Sequence, residues 1–265
     1  MIATFLTRLI LSFLTGATWV TLSTLAAERF GSKVGGLIGG MPSTVVVSLL
    51  FIGLTQTPEL AAQAATLVPV TMGVDGLFIV AYLLAVRQGL AAGMWSGLAV
   101  WLVLASLLVA SGIQSLWVSF AGWLVLGLVS YLCVEKGMKI VSQGGVRVKY
   151  TPIQIGGRAL FGGTVIACAV LAGRLGGPLV GGIFATFPAM FISTLTITYR
   201  TGGVEFARAV AKTLMVSGLI NVPIYALVVR FAYPGLGLAY GTALALLVSL
   251  ASGYLTLLFV RERLA

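Results

Sequence analysis

The chain has 265 residues, of which 59 % are hydrophobic and 8 % are charged, and its mean hydropathy is +1.11. These values exclude an ordinary soluble domain and predict an all-α integral membrane protein. The net charge of +10 does not indicate nucleic-acid binding, because the basic residues are spread over many loops. The chain has no histidine, phosphate-binding loop or acidic cluster, so we expect no cofactor, no metal site and no catalytic residues.

Charged residues and turn residues divide the chain into about nine apolar stretches, each long enough to cross roughly 30 Å of hydrocarbon. In chain order, the predicted transmembrane helices cover residues 3–26, 33–55, 59–86, 89–111, 114–134, 153–173, 176–199, 205–230 and 235–260. We interpret the first as a retained helix, because its apolar stretch is longer than a typical signal-peptide core.

An internal repeat aligns the two halves of the chain when one is shifted by 146 residues, without a gap. The matching positions include residue types that rarely coincide by chance in apolar sequence: Gly16 with Gly162, Pro42 with Pro188, and Glu59 with Glu205. We therefore predict a four-helix repeat in residues 1–112, a linking helix and hydrophilic cytoplasmic loop in 113–152, and a second four-helix repeat in 153–265.

The orientation of the two repeats follows from the linking helix, because one extra span makes the second repeat enter from the opposite face. Loop charges support this inversion. Most Lys and Arg residues fall in alternate loops, whereas Arg8, Arg174 and Arg230 fall in the others. Cytoplasmic loops carry the Lys and Arg excess, so we predict a plasma or inner membrane protein with its N-terminus outside and its C-terminus in the cytoplasm.

Asp75 is the acidic residue that lies deep in a predicted span, and Asn221 is its counterpart in the second repeat. One helical turn earlier, Thr71 corresponds to Ser217, so each repeat presents two polar groups on one helix face. An ionised, unpaired carboxylate at the bilayer centre costs several kcal/mol, and it therefore predicts a proton or cation site. The alternative is a hydrogen-bonded Asp75 that only holds helices together.

Pro42 and Pro188 lie near the middle of the second and seventh spans, within matched glycine-rich segments. Proline removes a helical hydrogen bond and frees a carbonyl group, which is tolerated at membrane depth only inside protein or beside a cavity. We predict a pair of interrupted helices at the site, with Ser43, Thr44 and Thr186 supplying oxygen atoms. For the neighbouring glycines, close helix packing is the favoured interpretation.

Other charged residues lie near helix ends. Glu59 and Glu205 begin matched helices, where a carboxylate complements the helix N-terminus, so a capping role is preferred over a substrate gate. Arg158, Arg208 and Lys212 lie within two turns of the predicted cytoplasmic ends and are expected to extend to the membrane interface. A vestibule that attracts anions is the alternative for these three residues.

Residues 183–217 contain Phe187-Pro188 and the turn Arg200-Thr201-Gly202-Gly203. This segment resembles the GlpM-type small bacterial membrane proteins. The resemblance covers part of the second repeat, and it implies a helical membrane protein without assigning any residue a role.

Inverted repeats around interrupted helices are typical of secondary transporters, whose sites lie near the bilayer midplane. We therefore predict a transporter or exporter of a small polar or ionic solute, with the proton as coupling ion. The expected partners are that small-molecule or ion substrate and membrane lipids, without nucleic acid, and a homo-oligomer is left open. The alternatives are an ion or solute channel, a lipid flippase or scramblase, and a non-transporting assembly protein.

Overall fold

The computed structural model describes residues 2–39, 42–140 and 150–263, with side chains described in 3–26, 42–140 and 150–255. Within these residues all regular structure is helical, as predicted. The helices are α1 (Ile2–Gly39), α2 (Ser43–Thr55), α3 (Pro58–Ala64), α4 (Val68–Ala85), α5 (Leu90–Ser111), α6 (Leu116–Leu132), α7 (Pro152–Leu175), α8 (Pro178–Ala185) and α9 (Ala189–Arg263).

Six helical stretches in the described residues are long and apolar enough to cross a membrane. They are Ala3–Ala26, Pro58–Gln88, Leu90–Ser111, Leu116–Gly137, Pro152–Leu175 and Pro178–Leu255. The second stretch joins α3 to α4 through a 3-10 turn at Ala65–Leu67. The expected all-helical, membrane-type architecture is therefore confirmed at the level of helix length and composition.

Six stretches stand where the sequence predicts nine spans, because Pro178–Leu255 covers the last three predicted spans, and because the second predicted span, 33–55, contains the end of α1 and then only the 13-residue α2. A straight helix of 75 residues would be about 110 Å long, so α9 cannot be a single crossing. It bends at Gly203 (φ 77°, ψ −175°) and Gly237 (φ 72°, ψ −179°), conformations that glycine adopts readily. Three segments result, 189–202, 204–236 and 238–263. Helix α1, in contrast, runs through the loop predicted at 27–32.

Helix α4 lies at the centre of the molecule. The most apolar window of its span is 78 % buried, whereas the windows of α5 and α6 are each 22 % buried. Around α4 pack α5, α6 and α9. The outer helices expose large apolar side chains such as Leu102, Trp117 and Leu124, a surface suited to lipid.

Helices α1 and α7, the first helices of the two predicted repeats, pack against each other in antiparallel fashion. Near one end of the pair, the Arg174 guanidinium lies 3.8 Å from the centroid of the Phe5 ring. Near the other end, Arg158 Nε donates a hydrogen bond to Thr24 Oγ1 at 3.1 Å. The beginning of each helix therefore lies beside the end of the other.

Two contacts in the middle of the α1–α7 pair are equivalent to each other under the 146-residue shift that aligns the two halves. Gly16 packs directly on Ile166, and Gly162 packs on Val20, where an added Cβ would lie 2.8 Å from Val20 Cγ2. The shift carries Gly16 to Gly162 and Val20 to Ile166. Reciprocal contacts of this kind are characteristic of interfaces with two-fold symmetry.

We predict that Gly163→Ala destabilises the protein by about 1–3 kcal/mol, the usual cost of overpacking. An added Cβ would lie 2.8 Å from the Phe13 carbonyl oxygen on α1, and a backbone atom cannot move aside cheaply. The unfolding midpoint of the purified protein in detergent measures the effect. Gly157→Ala on the same helix is the matched control, because its Cβ would meet nothing within 4 Å. Equal midpoints for the two variants would contradict the α1–α7 contact.

Candidate functional site

Two helix breaks occur at corresponding positions of the predicted repeats. Helix α1 ends at Gly39 and α2 begins at Ser43, while α8 ends at Ala185 and α9 begins at Ala189. The two helices that follow the breaks begin 146 residues apart, at Ser43 and Ala189. The chain is thus interrupted in both places where the sequence pattern predicts an interrupted helix.

A proline directly precedes the helix that follows each break. The Pro42 carbonyl accepts a hydrogen bond from Val46 N–H at 2.8 Å, and the Pro188 carbonyl accepts one from Ile192 N–H at 2.9 Å. Each proline therefore starts a new helix, a position where its missing N–H group costs nothing.

A cavity of about 30 Å³ lies between the two breaks, with room for about one or two water molecules. Its lining includes five of the residues that the sequence pattern assigns to the site, namely Pro42, Thr44, Asp75, Thr186 and Pro188. Met72, Phe187, Met190 and Phe191 supply most of the remaining wall. The breaks from the two halves of the chain and the acid on α4 thus meet at one small cavity.

Asp75 is 3 % exposed, and its Oδ1 atom has no hydrogen-bond partner among the described residues. The indole nitrogen of Trp101 approaches the carboxyl group without reaching hydrogen-bond geometry. Phe187 packs edge-on against Trp101, with the ring centroids 5.0 Å apart. None of the ion pairs in the described part of the chain includes Asp75. The carboxyl group therefore lies in aromatic surroundings with capacity for a proton or a cation.

The predicted hydroxyl groups divide between two environments. Thr186 Oγ1 donates to the Ile183 carbonyl at 2.8 Å, so its lone pairs remain able to accept a hydrogen bond from a ligand. Ser43 does not line the cavity. It faces an apolar groove between α1, α2 and the last segment of α9, beside Trp19 and Leu246.

Asn221 lies in a different polar cluster from Asp75. Its Nδ2 donates to Ser217 Oγ at 3.1 Å, and its Oδ1 accepts from Ser252 Oγ at 3.0 Å. Ser249 Oγ donates to the Asn221 backbone carbonyl at 3.3 Å. The bonds from Ser249 and Ser252 join the second and third segments of α9, whereas Ser217 and Asn221 lie in the same segment. Neither Asn221 nor Ser217 lines the cavity.

Thr71 also lies outside the cavity lining, although it is one turn from Asp75. Its Oγ1 donates to the Leu67 carbonyl on its own helix at 2.5 Å. Met72 occupies the part of the wall that the sequence pattern assigns to Thr71. The side-chain bond to the backbone explains the difference, because a threonine inside a helix can satisfy its hydroxyl locally.

The basic residues near the predicted cytoplasmic ends lie inside the protein, and two of them have acidic partners. Arg208 Nη1 lies 3.0 Å from Glu205, which also pairs with Arg87 at 3.1 Å. Lys212 Nζ lies 2.7 Å from Glu135 on the π-helical turn that follows α6. Glu205 therefore joins the second segment of α9 to the turn at Val86–Gln88 that follows α4, instead of only capping its own helix.

Arg158 is a further candidate functional residue, although the sequence analysis expects it only to extend to the membrane interface. It is 5 % exposed on α7, and it binds Thr24 and Thr194 rather than extending to the membrane interface. The signal that could have found it is the one applied to Asp75, a charged residue inside an apolar span.

Residues 156–259 match the family described as Protein of unknown function (DUF3147), over well under half of the chain. The match falls within the predicted second repeat. No curated protein and no solved structure matches the chain. The resemblance of residues 183–217 to the GlpM-type group is not confirmed.

We predict that Asn221→Ala lowers the free energy of unfolding by about 1 kcal/mol, the size expected for hydrogen bonds between membrane helices. The change removes the bond to Ser252, which joins two segments of α9, and the bond to Ser217 within one segment. Asp75→Asn is the comparison, and we expect no loss of stability from it, because Asp75 Oδ1 has no partner to lose. Denaturation of both variants in detergent checks the pair. A larger loss for Asp75→Asn would show that Asp75 has the structural role.

Proposed function

We propose that this protein is a secondary transporter or exporter of a small polar or ionic solute in a cell membrane, with Asp75 as the coupling residue. The observation that carries the proposal is the buried, unpartnered carboxyl group in the cavity between two helix breaks. Interrupted helices that meet at a polar site are the usual construction of secondary transporters.

The inverted-repeat arrangement is part of this proposal, and three observations support it. Helices α1 and α7 are antiparallel, and their contacts exchange under the 146-residue shift. Both helix breaks recur at the same shift. The family match covers one predicted repeat without the linking helix, as expected for a four-helix unit that can occur by itself.

The small cavity corresponds to a closed state in this proposal. Pro42 and Pro188 from the two breaks line this cavity, and Phe187, Met190 and Phe191 supply part of its wall. Movement of one repeat against the other would open the cavity to each side in turn. Protonation of Asp75 would remove its charge during that movement, which is how a buried acid couples a proton to a solute.

The orientation we propose has the N-terminus outside and the C-terminus in the cytoplasm. The expected result is that an impermeant maleimide labels Ser111→Cys in intact cells, and labels Arg200→Cys only after the cells are opened. Both positions are exposed. The background carries serine at Cys133 and Cys168, and the reverse labelling pattern would overturn this orientation.

Asp75→Asn is expected to abolish solute-driven charge movement in proteoliposomes, because an amide cannot release a proton. Solid-supported electrophysiology with a panel of cations, amino acids and polyols, at two pH values, measures the currents. Glu59→Gln is the matched control, since it makes the same acid-to-amide change on an exposed residue at the start of α3. We expect the control to transport normally.

The same preparation separates the proposal from its alternatives. Saturable, Asp75-dependent counterflow supports a carrier, whereas ohmic current in a planar bilayer identifies a channel. Movement of labelled phospholipid between leaflets without solute flux identifies a flippase or scramblase. Full transport by Asp75→Asn would remove Asp75 from the mechanism.

A further inference from the structure

Arg158 lies six residues after the start of α7 and is 5 % exposed. Its Nε donates to Thr24 Oγ1 at 3.1 Å, and its Nη1 donates to Thr194 Oγ1 at 2.8 Å. Both acceptors are neutral hydroxyl groups, one on α1 and one on α9. Three helices therefore hold the guanidinium group in a fixed position without neutralising its charge.

The remaining surroundings of Arg158 are also neutral. Nη2 lies 3.9 Å from Met190 Sδ, and the Tyr150 ring lies 5.3 Å from the guanidinium carbon. An arginine has five N–H donors. The three hydrogen bonds leave two donors without an acceptor in the part of the chain that the structure describes.

A buried guanidinium without an anion is unfavourable by several kcal/mol. Elsewhere in this protein the cost is avoided, because Arg208 pairs with Glu205 and Lys212 pairs with Glu135. Arg158 has no carboxylate among the described side chains. A missing anion is therefore the feature that distinguishes this position from the two ion pairs.

Met190 connects Arg158 to the site. Its side chain lines the Asp75 cavity, and its sulfur contacts the Arg158 guanidinium. Met190 thus lies between the Arg158 guanidinium and the cavity that Asp75 lines, and its flexible thioether can change position with little strain.

We propose that Arg158 binds the anionic group of the transported solute, a carboxylate or a phosphate, beside the Asp75 cavity. This assignment rests on the proposed transport function and names its substrate class. Two free N–H groups on a planar guanidinium suit the two oxygens of such a group, in a charge-assisted pair. A lipid head group carries the same phosphate chemistry, but Thr24, Thr194 and Tyr150 enclose Arg158, so the occupant is a small solute.

The test measures binding instead of transport, on the purified full-length protein in a neutral detergent. Sodium acetate and sodium phosphate are titrated against sodium chloride at constant ionic strength, and the unfolding midpoint is recorded. We expect a saturable rise for at least one probe. Arg158→Gln should lose it, and Arg158→Lys should need about tenfold more anion, because lysine keeps the charge without the planar fork.

One control variant is expected to keep the response. Arg200→Gln makes the same change as Arg158→Gln on an exposed arginine, so it controls for the loss of one positive charge. In Asp75→Asn, flux is measured beside anion binding, because the proposed role of Asp75 predicts a loss of flux. The two proposals can fail separately. If anion binding depends on Arg158 while Asp75→Asn keeps full flux, the anion site stands and the proposed role of Asp75 is wrong.

Three results would overturn the inference. The first is that neither anion raises the unfolding midpoint of the wild-type protein, or that an anion raises the midpoint of Arg158→Gln by the same amount. If Arg158→Gln does not fold, a titration of Arg158→Lys identical to that of the wild type has the same meaning. The second is that an anion raises the unfolding midpoint of Glu28→Gln but not of the wild type. Glu28 lies four residues after Thr24 in the sequence, and this result would identify it as the counter-ion of Arg158. The third is a higher unfolding midpoint in phosphatidylglycerol nanodiscs than in phosphatidylcholine nanodiscs, without any effect of acetate or phosphate. That result would identify a lipid head group as the ligand.

Discussion

The close antiparallel contact between α1 and α7 is the constraint on which the rest of the structure depends. Gly16 and Gly162 lack side chains where Ile166 and Val20 pack, so the two helices approach closely. Each helix is followed, directly or through α8, by a break, and the helices after the two breaks begin at Ser43 and Ala189, 146 residues apart. Pro42 and Pro188 from these breaks line the same cavity as Asp75.

The parts of the site that the sequence predicts are those governed by local physical chemistry. A proline cannot continue a helix, so Pro42 and Pro188 mark the interruptions whatever the surroundings. A 146-residue repeat that matches glycine and proline implies equivalent local structure in both halves. The grouping of Pro42, Thr44, Asp75, Thr186 and Pro188 around one cavity follows from these two features together. Their identity as site residues needed no knowledge of side-chain orientation.

The parts that the sequence does not predict depend on neighbouring helices. A helical position has a face, but which helix covers that face is decided by tertiary packing. Asn221 turns to Ser252, and Thr71 turns to its own backbone, so neither reaches the cavity. Arg158 is inside the protein because Thr24 and Thr194 from two other helices accept its hydrogen bonds. The continuity of α1 through the predicted loop at 27–32 likewise has no signal in the charge pattern.

Asp75 and Asn221 occupy equivalent positions, and the difference between them is informative. Each faces the last helix of its own predicted repeat, Asp75 near Trp101 on α5 and Asn221 beside Ser252 in the last segment of α9. The amide is hydrogen-bonded on both of its polar atoms, whereas the carboxyl group has an oxygen with no partner in the described residues. One repeat thus uses the position for stability, and the other keeps a buried acid at an energetic cost. Local violations of this kind concentrate at functional sites, and here the violation lies in the wall of the cavity where the two halves meet.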